Sequence, residues 1–201
     1  MSTDRGYHHG DLRAKLIEAS FDLLAECGLQ RFSVAAVARR LGVSSAAPYR
    51  HFPDRAHLLA AVSAVAARDL RAAIVAAADA AGPEPGARLA AAAGAYVRYV
   101  GRTGAGFHVI FAAELYQLPG DARREQTRAL MTTLLDLATA TGSRSYPEAL
   151  ALVETTIAVA HGYTALFADG FFARKSATVD DIAIRAAAAA RALAAPAGLQ
   201  G

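Results

Sequence analysis

The sequence predicts an all-α protein, a small three-helix head joined by a long helix to a larger helical bundle. Three observations predict it. Alanine dominates a chain of 201 residues that is 54% hydrophobic, lacks tryptophan and has only short β-branched runs. Apolar residues recur at 3.6-residue spacing. The ends of these periodic stretches carry capping and stop residues. The chain is long enough to bury a substantial core, as one domain of ordinary size or as a head on a body.

The first helix runs from Asp11, with Leu12, Leu16, Ala19, Leu23, Leu24 and Cys27 on one face and Gly28 as its stop. Ser33 caps a second, two-turn helix, with Phe32 and Val37 placed as a hydrophobic staple and Gly42 ending it. Ser44 is positioned to cap a third short helix through Tyr49 and His51, in which Pro48 lacks only an amide that would bond back to the cap carbonyl. That places the Pro48 ring inward and Ser45 and Ala46 outward. Asp54 caps a long fourth helix toward Ala81, and "GPEPG", Gly82 to Gly86, ends it. The first three helices must pack on the opening turns of the fourth, so the domain division falls inside it, residues 1–60 against 61–201.

Five further helices are expected: Ala87 to Val100, Ala105 to Gln117, Asp121 to Ala140, Tyr146 to Ala168, and Val179 to Ala195. "SYPE" puts Ser145 and Glu148 at capping-box spacing with Pro147 in the first turn, and Pro196 follows the last helix.

Composition restricts the function. No stretch reaches 18 uninterrupted apolar residues, so no membrane span or membrane partner is expected. Residues 1–10 are polar and lack the apolar core of a secretory signal. A single cysteine, Cys27, excludes an internal disulfide framework and fits a reducing cytoplasm. The net charge is +3, and through Arg55 eight Lys or Arg face six Asp or Glu, a mild lean compatible with nucleic acid. His8 and His9 have no ligand framework around them, so no metal or cofactor is expected; their arm could instead lie along DNA. "GAG", Gly104 to Gly106, lacks the preceding strand a dinucleotide loop needs. No paired carboxylates and no Ser, His and Asp set stand in a catalytic arrangement, so an enzyme is not expected.

Ala38 and Gly42, four residues apart across "LGVS", match the spacing of a helix-turn-helix: a small residue where the helices cross and a glycine that accepts positive φ in the turn. An ordinary helical hairpin shares that pattern. The stretch "YHHGDLRAKLIEASFDLLAECGLQRFSVAAVARRLGVSSAAPYRHFPDRAHLLAAV" goes further and resembles the TetR family of bacterial transcriptional regulators along the whole DNA-binding domain. The resemblance lies in the amphipathic first helix ending at Gly28, in "FSVAAVARRLGVS", in "YRHF", and in a basic residue followed by "LL" opening the fourth helix. Arg55 stands where lysine is usual.

The resemblance implies a homodimer whose recognition helices enter successive major grooves of a palindromic double-stranded DNA operator, about 34 to 36 Å apart. It implies phosphate contacts from Ser33, Tyr49, His51 and Arg55, and a groove-facing set of Ser44, Ser45, Ala46 and Arg50. Ser33 and Arg55 also suit phosphate chemically, although a cap and a solvated charge are the alternatives for them. Direct base readout is thin: Ser45 bonds several bases, Ala46 meets only a thymine methyl, and Arg50 reads guanine if it points inward. Affinity should rest on backbone contacts and DNA shape.

"FHVIF" and "AHG" look like the TetR subgroup named for a Trp-His-Gly motif, with Ala160 in the tryptophan position and space where a large ring would stand. Tyr96, Phe107, Phe111, Glu114, His161 and Phe167 are the candidates to line a pocket for an unknown small-molecule effector; a satisfied core histidine is the alternative for His161. The last two helices of each subunit are expected to form the dimer interface, with Val153, Ile157, Ala160 and Thr164 toward the partner. The expected function is a ligand-responsive repressor, and the competing one a ligand-independent or architectural DNA binder.

Overall fold

In the computed structural model residues 9–118, 120–173 and 176–195 are described, side chains from residue 12 onward. Eight α-helices and two short 3-10 turns make up the fold, with no strand among the described residues. His8 and Pro196, and the side chain of His9, lie outside the described residues.

The head comprises α1 (His9–Arg31), α2 (Val34–Arg40) and a 3-10 turn at Pro48–Arg50. Gly28 interrupts α1 where the sequence places a stop: it takes a non-helical φ of 71° and ψ of 174°, and a short helical turn follows it to Arg31. Leu16, Leu24, Phe32, Val37 and Phe52 fill the head's core and close it against Leu58, Leu59 and Val62 on the opening turns of α3 (Arg55–Ala80). Asp54 caps α3 by accepting the His57 amide at 2.9 Å. With 26 residues, α3 is about 39 Å long and runs from the head into the bundle.

The bundle is built around α4 (Pro85–Thr103), whose Leu89 to Tyr96 segment is buried nearly all round by α3, α6 (Asp121–Thr139), α7 (Tyr146–Ala168) and α8 (Val179–Ala194). Glu84 caps α4 through the amides of Gly86 and Ala87 at 2.7 and 2.8 Å. On α8, Ile182, Ala183, Ala186, Ala190 and Ala194 form one buried stripe, so its backbone lies close to α4. α7 keeps both predicted ends, and its capping box forms, with the Ser145 amide donating to Glu148 at 2.7 Å.

The expected helix from Ala105 to Gln117 is broken into α5 (Phe107–Ile110) and a 3-10 turn at Ala113–Leu115. The Ser63 hydroxyl on α3 donates to the Ile110 carbonyl at 2.9 Å, and Leu115 N–H turns back to the Ala112 carbonyl at 2.9 Å. Tertiary and 3-10 bonds thus replace the helical ladder after α5.

Candidate nucleic-acid interface

The turn after α2 is a Schellman motif. Gly42 N–H donates to the Arg39 carbonyl and Val43 N–H to the Ala38 carbonyl, both at 3.1 Å, with Gly42 at φ 65°. Ala38 is buried where the segments cross, as the spacing requires. Ser33 caps α2 by accepting Ala36 N–H at 3.2 Å, while Phe32 and Val37 are both buried.

Beyond the turn, no continuous helix starts at Ser44. The Ser44 carbonyl accepts from Ala47 at 3.0 Å, and His51 N–H reaches the Pro48 carbonyl at 2.9 Å. These are three-residue closures, because Pro48 has no amide with which to complete the four-residue bond to Ser44. The side-chain arrangement matches the expected one: Pro48 is buried, whereas Ser44, Ser45, Ala46, Tyr49 and Arg50 are exposed.

The head's cations divide sharply by partner. Arg40 is bonded to Glu26, at 2.8 Å from Nη1, and Arg31 Nε reaches the Cys27 carbonyl at 3.2 Å. Arg39 and Arg50, both exposed, make no side-chain hydrogen bond or ion pair among the described residues. Arg39 was missed in the sequence because nothing there distinguishes it from Arg40; only the position of Glu26, on α1, does so.

Arg55 has partners within the protein that the sequence did not suggest. Its Nε and Nη2 donate to the carbonyls of Phe32 and Leu29, each at 3.0 Å, and its Nη1 pairs with Glu114. The guanidinium also lies over the Phe32 ring, 5.5 Å from its centroid. Each guanidinium nitrogen thus has a partner within the protein, and Nη1 and Nη2 each keep a second N–H. His51 is half-buried and lines a groove between head and bundle.

The pocket candidates divide as well. Tyr96, Phe107, Ile157 and Ala160 line a cavity of only ≈ 10 Å³ together with Ile74, Ala92, Ala93, Leu134 and Thr156. The space expected beside Ala160 is therefore occupied, and Thr156 Oγ1 is buried there without a hydrogen-bond partner. Phe107 N–H donates to Tyr96 Oη at 3.2 Å, so the Tyr96 hydroxyl is free to donate to His161 Nδ1 at 2.9 Å. Burial pushes the Tyr96 hydroxyl up to about 12. Phe107 stacks on Tyr96 and on Phe111, with centroids 5.2 and 5.6 Å apart. Phe111, Glu114, His161 and Phe167 do not line this cavity; His161 reaches it only through Tyr96, and Glu114 is held by Arg55.

Two expected partner-facing residues, Val153 and Ala160, are 1% exposed and pack inside the protomer. Beyond its first turn, the exposed residues of α7 are Ala151, Glu154, Thr155, Ala158, Ala165, Leu166 and Ala168. Ile157 and Thr164 are half-buried; α7 is apolar on both sides, and periodicity alone does not choose which side the bundle covers.

The profile of bacterial regulatory proteins of the tetR family matches residues 16–62. Among solved structures, a protein of unknown function from Rhodococcus sp. RHA1 is 30% identical, covers 94% of this chain and 98% of its own, and superposes with a TM-score of 0.67. A bacterial regulatory protein in the tetR family from Rhodococcus RHA1 shares the fold at 22% identity, with 92% and 98% coverage and a TM-score of 0.61. A tetR-family transcriptional regulator from Streptomyces coelicolor does so at 22% identity, with 90% and 81% coverage and a TM-score of 0.61. No curated protein matches the chain.

Proposed function

We propose that the chain, whose residues 16–62 match the tetR family of bacterial regulatory proteins, is a DNA-binding transcriptional regulator that acts in the cytoplasm as a repressor and binds a palindromic operator as a homodimer. The observation that carries the reading is the surface around the Schellman turn. Two uncommitted arginines, Arg39 and Arg50, stand with the exposed Tyr49 and the hydroxyls of Ser44 and Ser45 around a segment anchored by Pro48. Arginine and tyrosine suit phosphate oxygens, while Ser45, Ala46 and Arg50 are the candidates for base edges. Ser33 contributes the start of α2.

The homodimer is supported by α7. This helix is apolar enough, with a mean hydropathy of 1.3, to meet the length and composition of a membrane span, yet only 22% of that window is buried within the protomer. An exposed apolar face on a bundle helix calls for a partner. Ala151, Thr155, Ala158 and Leu166 on α7, with Ile184 and Ala188 on α8, supply a face for a second copy.

Selection of DNA fragments by the purified protein tests the proposal. Enrichment of an inverted repeat is expected, and recovery of random fragments overturns it. Effector control rests on the Tyr96, Phe107, Thr156 and His161 cluster, whose tight packing means that a ligand must open the core to enter. That same ≈ 10 Å³ cavity favours the second reading, a ligand-independent regulator. A thermal-shift screen with metabolites separates the two.

A further inference from the structure

A sizeable cavity lies outside the bundle core. A groove of ≈ 420 Å³ lies where the head meets the bundle, between α1, the segment after Pro48, α3 and the start of α6. Its basic lining comprises Arg13, His51, His57 and Arg123, and no Asp or Glu is among the described residues that line it. Asp54, the acid bonded to His57, is outside the lining set, with its carboxylate on the His57 amide and Nδ1 at 2.9 Å. The rest of the lining is mainly apolar, from Ile17, Phe52, Ala64 and Val65. Arg123 Nη2 is fixed on the Leu115 carbonyl at 3.0 Å, while its Nε is buried with no partner among the described residues. Gly120, in the same lining, supplies no side-chain cap to α6.

A cavity with the guanidinium groups of Arg13 and Arg123 over an apolar floor suits a ligand that has a carboxylate at one end and hydrocarbon at the other. We propose that this junction groove binds a small amphipathic carboxylate, separately from any ligand of the Tyr96 cavity. Such a ligand would bridge α1 and α3 to α6. If the protein regulates transcription as proposed above, its differential affinity for two head orientations would bias operator binding.

The test uses the full-length protein without DNA, so its outcome does not depend on the regulatory reading. Sodium octanoate is titrated by calorimetry and by methyl NMR, beside octan-1-ol and inorganic phosphate. Saturable one-to-one octanoate binding is expected, with shifts at the Ala61, Ala64 and Ala122 methyls and with both controls at least about tenfold weaker. Arg123→Gln should weaken octanoate about tenfold, and so should Arg13→Gln, which leaves the Leu115 contact intact. The proposal is overturned if octanoate does not saturate, if either control binds equally well, or if the shifts appear at Ala92 and Ala93 instead.

Discussion

Arg55 Nη1 donates to Glu114 across 59 residues of sequence, while the same guanidinium holds the carbonyls of Leu29 and Phe32. One side chain at the first turn of α3 thus ties the α1–α2 junction to the 3-10 turn of the bundle. Arg55→Ala should destabilise the protein by about 1 to 3 kcal/mol, most of it from the Phe32 carbonyl left without its donor and the Leu29 carbonyl left with only the Phe32 amide. The exposed pair itself is worth about 0.5 to 1 kcal/mol, measurable in a double-mutant cycle with Glu114→Ala. Because Arg55 is committed internally, the salt slope of DNA binding should not change in this variant, and a flatter slope would return Arg55 to the phosphate contacts.

Arg39→Ala and Arg50→Ala should each reduce the salt slope of DNA binding by about 1, with little effect on the melting temperature. Arg40→Ala, which breaks the pair with Glu26, provides the contrast: stability should fall slightly and the slope change less. Salt titrations of fluorescence anisotropy decide between these outcomes.

Two glycines should respond differently to the same substitution. At Gly42 an added Cβ meets nothing within 4 Å, so Gly42→Ala costs only the strain of φ 65°, about 1 to 2 kcal/mol. At Gly104, with φ 64°, the Cβ would stand 2.5 Å from the Ala25 backbone nitrogen in α1. Gly104→Ala should therefore cost about 3 kcal/mol or more, as strain adds to overpacking between head and bundle. Denaturant midpoints that rank the pair in reverse would contradict the close approach of α4 to α1.

Thr156 is the test of the core cavity. Its hydroxyl is buried with no acceptor, so Thr156→Val should raise stability by roughly 1 kcal/mol. If an effector uses that hydroxyl, the same variant should lose its thermal shift with the effector while retaining DNA binding. A lower melting temperature would indicate that the hydroxyl is satisfied in the folded protein.

His108 makes stability sensitive to mild acid. Desolvation, and then the neighbouring His161, hold its pKa below the ordinary 6.5. The unfolded chain thus takes up this proton first, and stability should fall as pH drops from about 6.5 through the lowered folded value. His108→Gln should flatten that part of the profile. Asp54, Glu148 and Asp181 act lower on the scale, their carboxylates held down chiefly by bonds to His57, Ser145 and Thr178. Their contribution is present above about pH 4 and is lost below it in both proteins.

The sequence by itself determined the helical class, the caps at Ser33, Asp54 and Ser145, both ends of α7, and the inward Pro48 with Ser45 and Ala46 outward. Each depends on contacts within a few residues, which periodicity and capping chemistry express directly. Tertiary structure decided what distant partners control. Ser63 diverts the Ile110 carbonyl, and α5 ends there. Leu29, Phe32 and Glu114 take up Arg55, while Glu26 takes Arg40 and leaves Arg39 free. Which side of α7 the bundle covers was likewise unreadable, since a helix apolar on two sides presents the same periodicity in either case. Hydrogen-bond competition and the choice of buried face are properties of the packed chain, so they appear only once the helices are assembled.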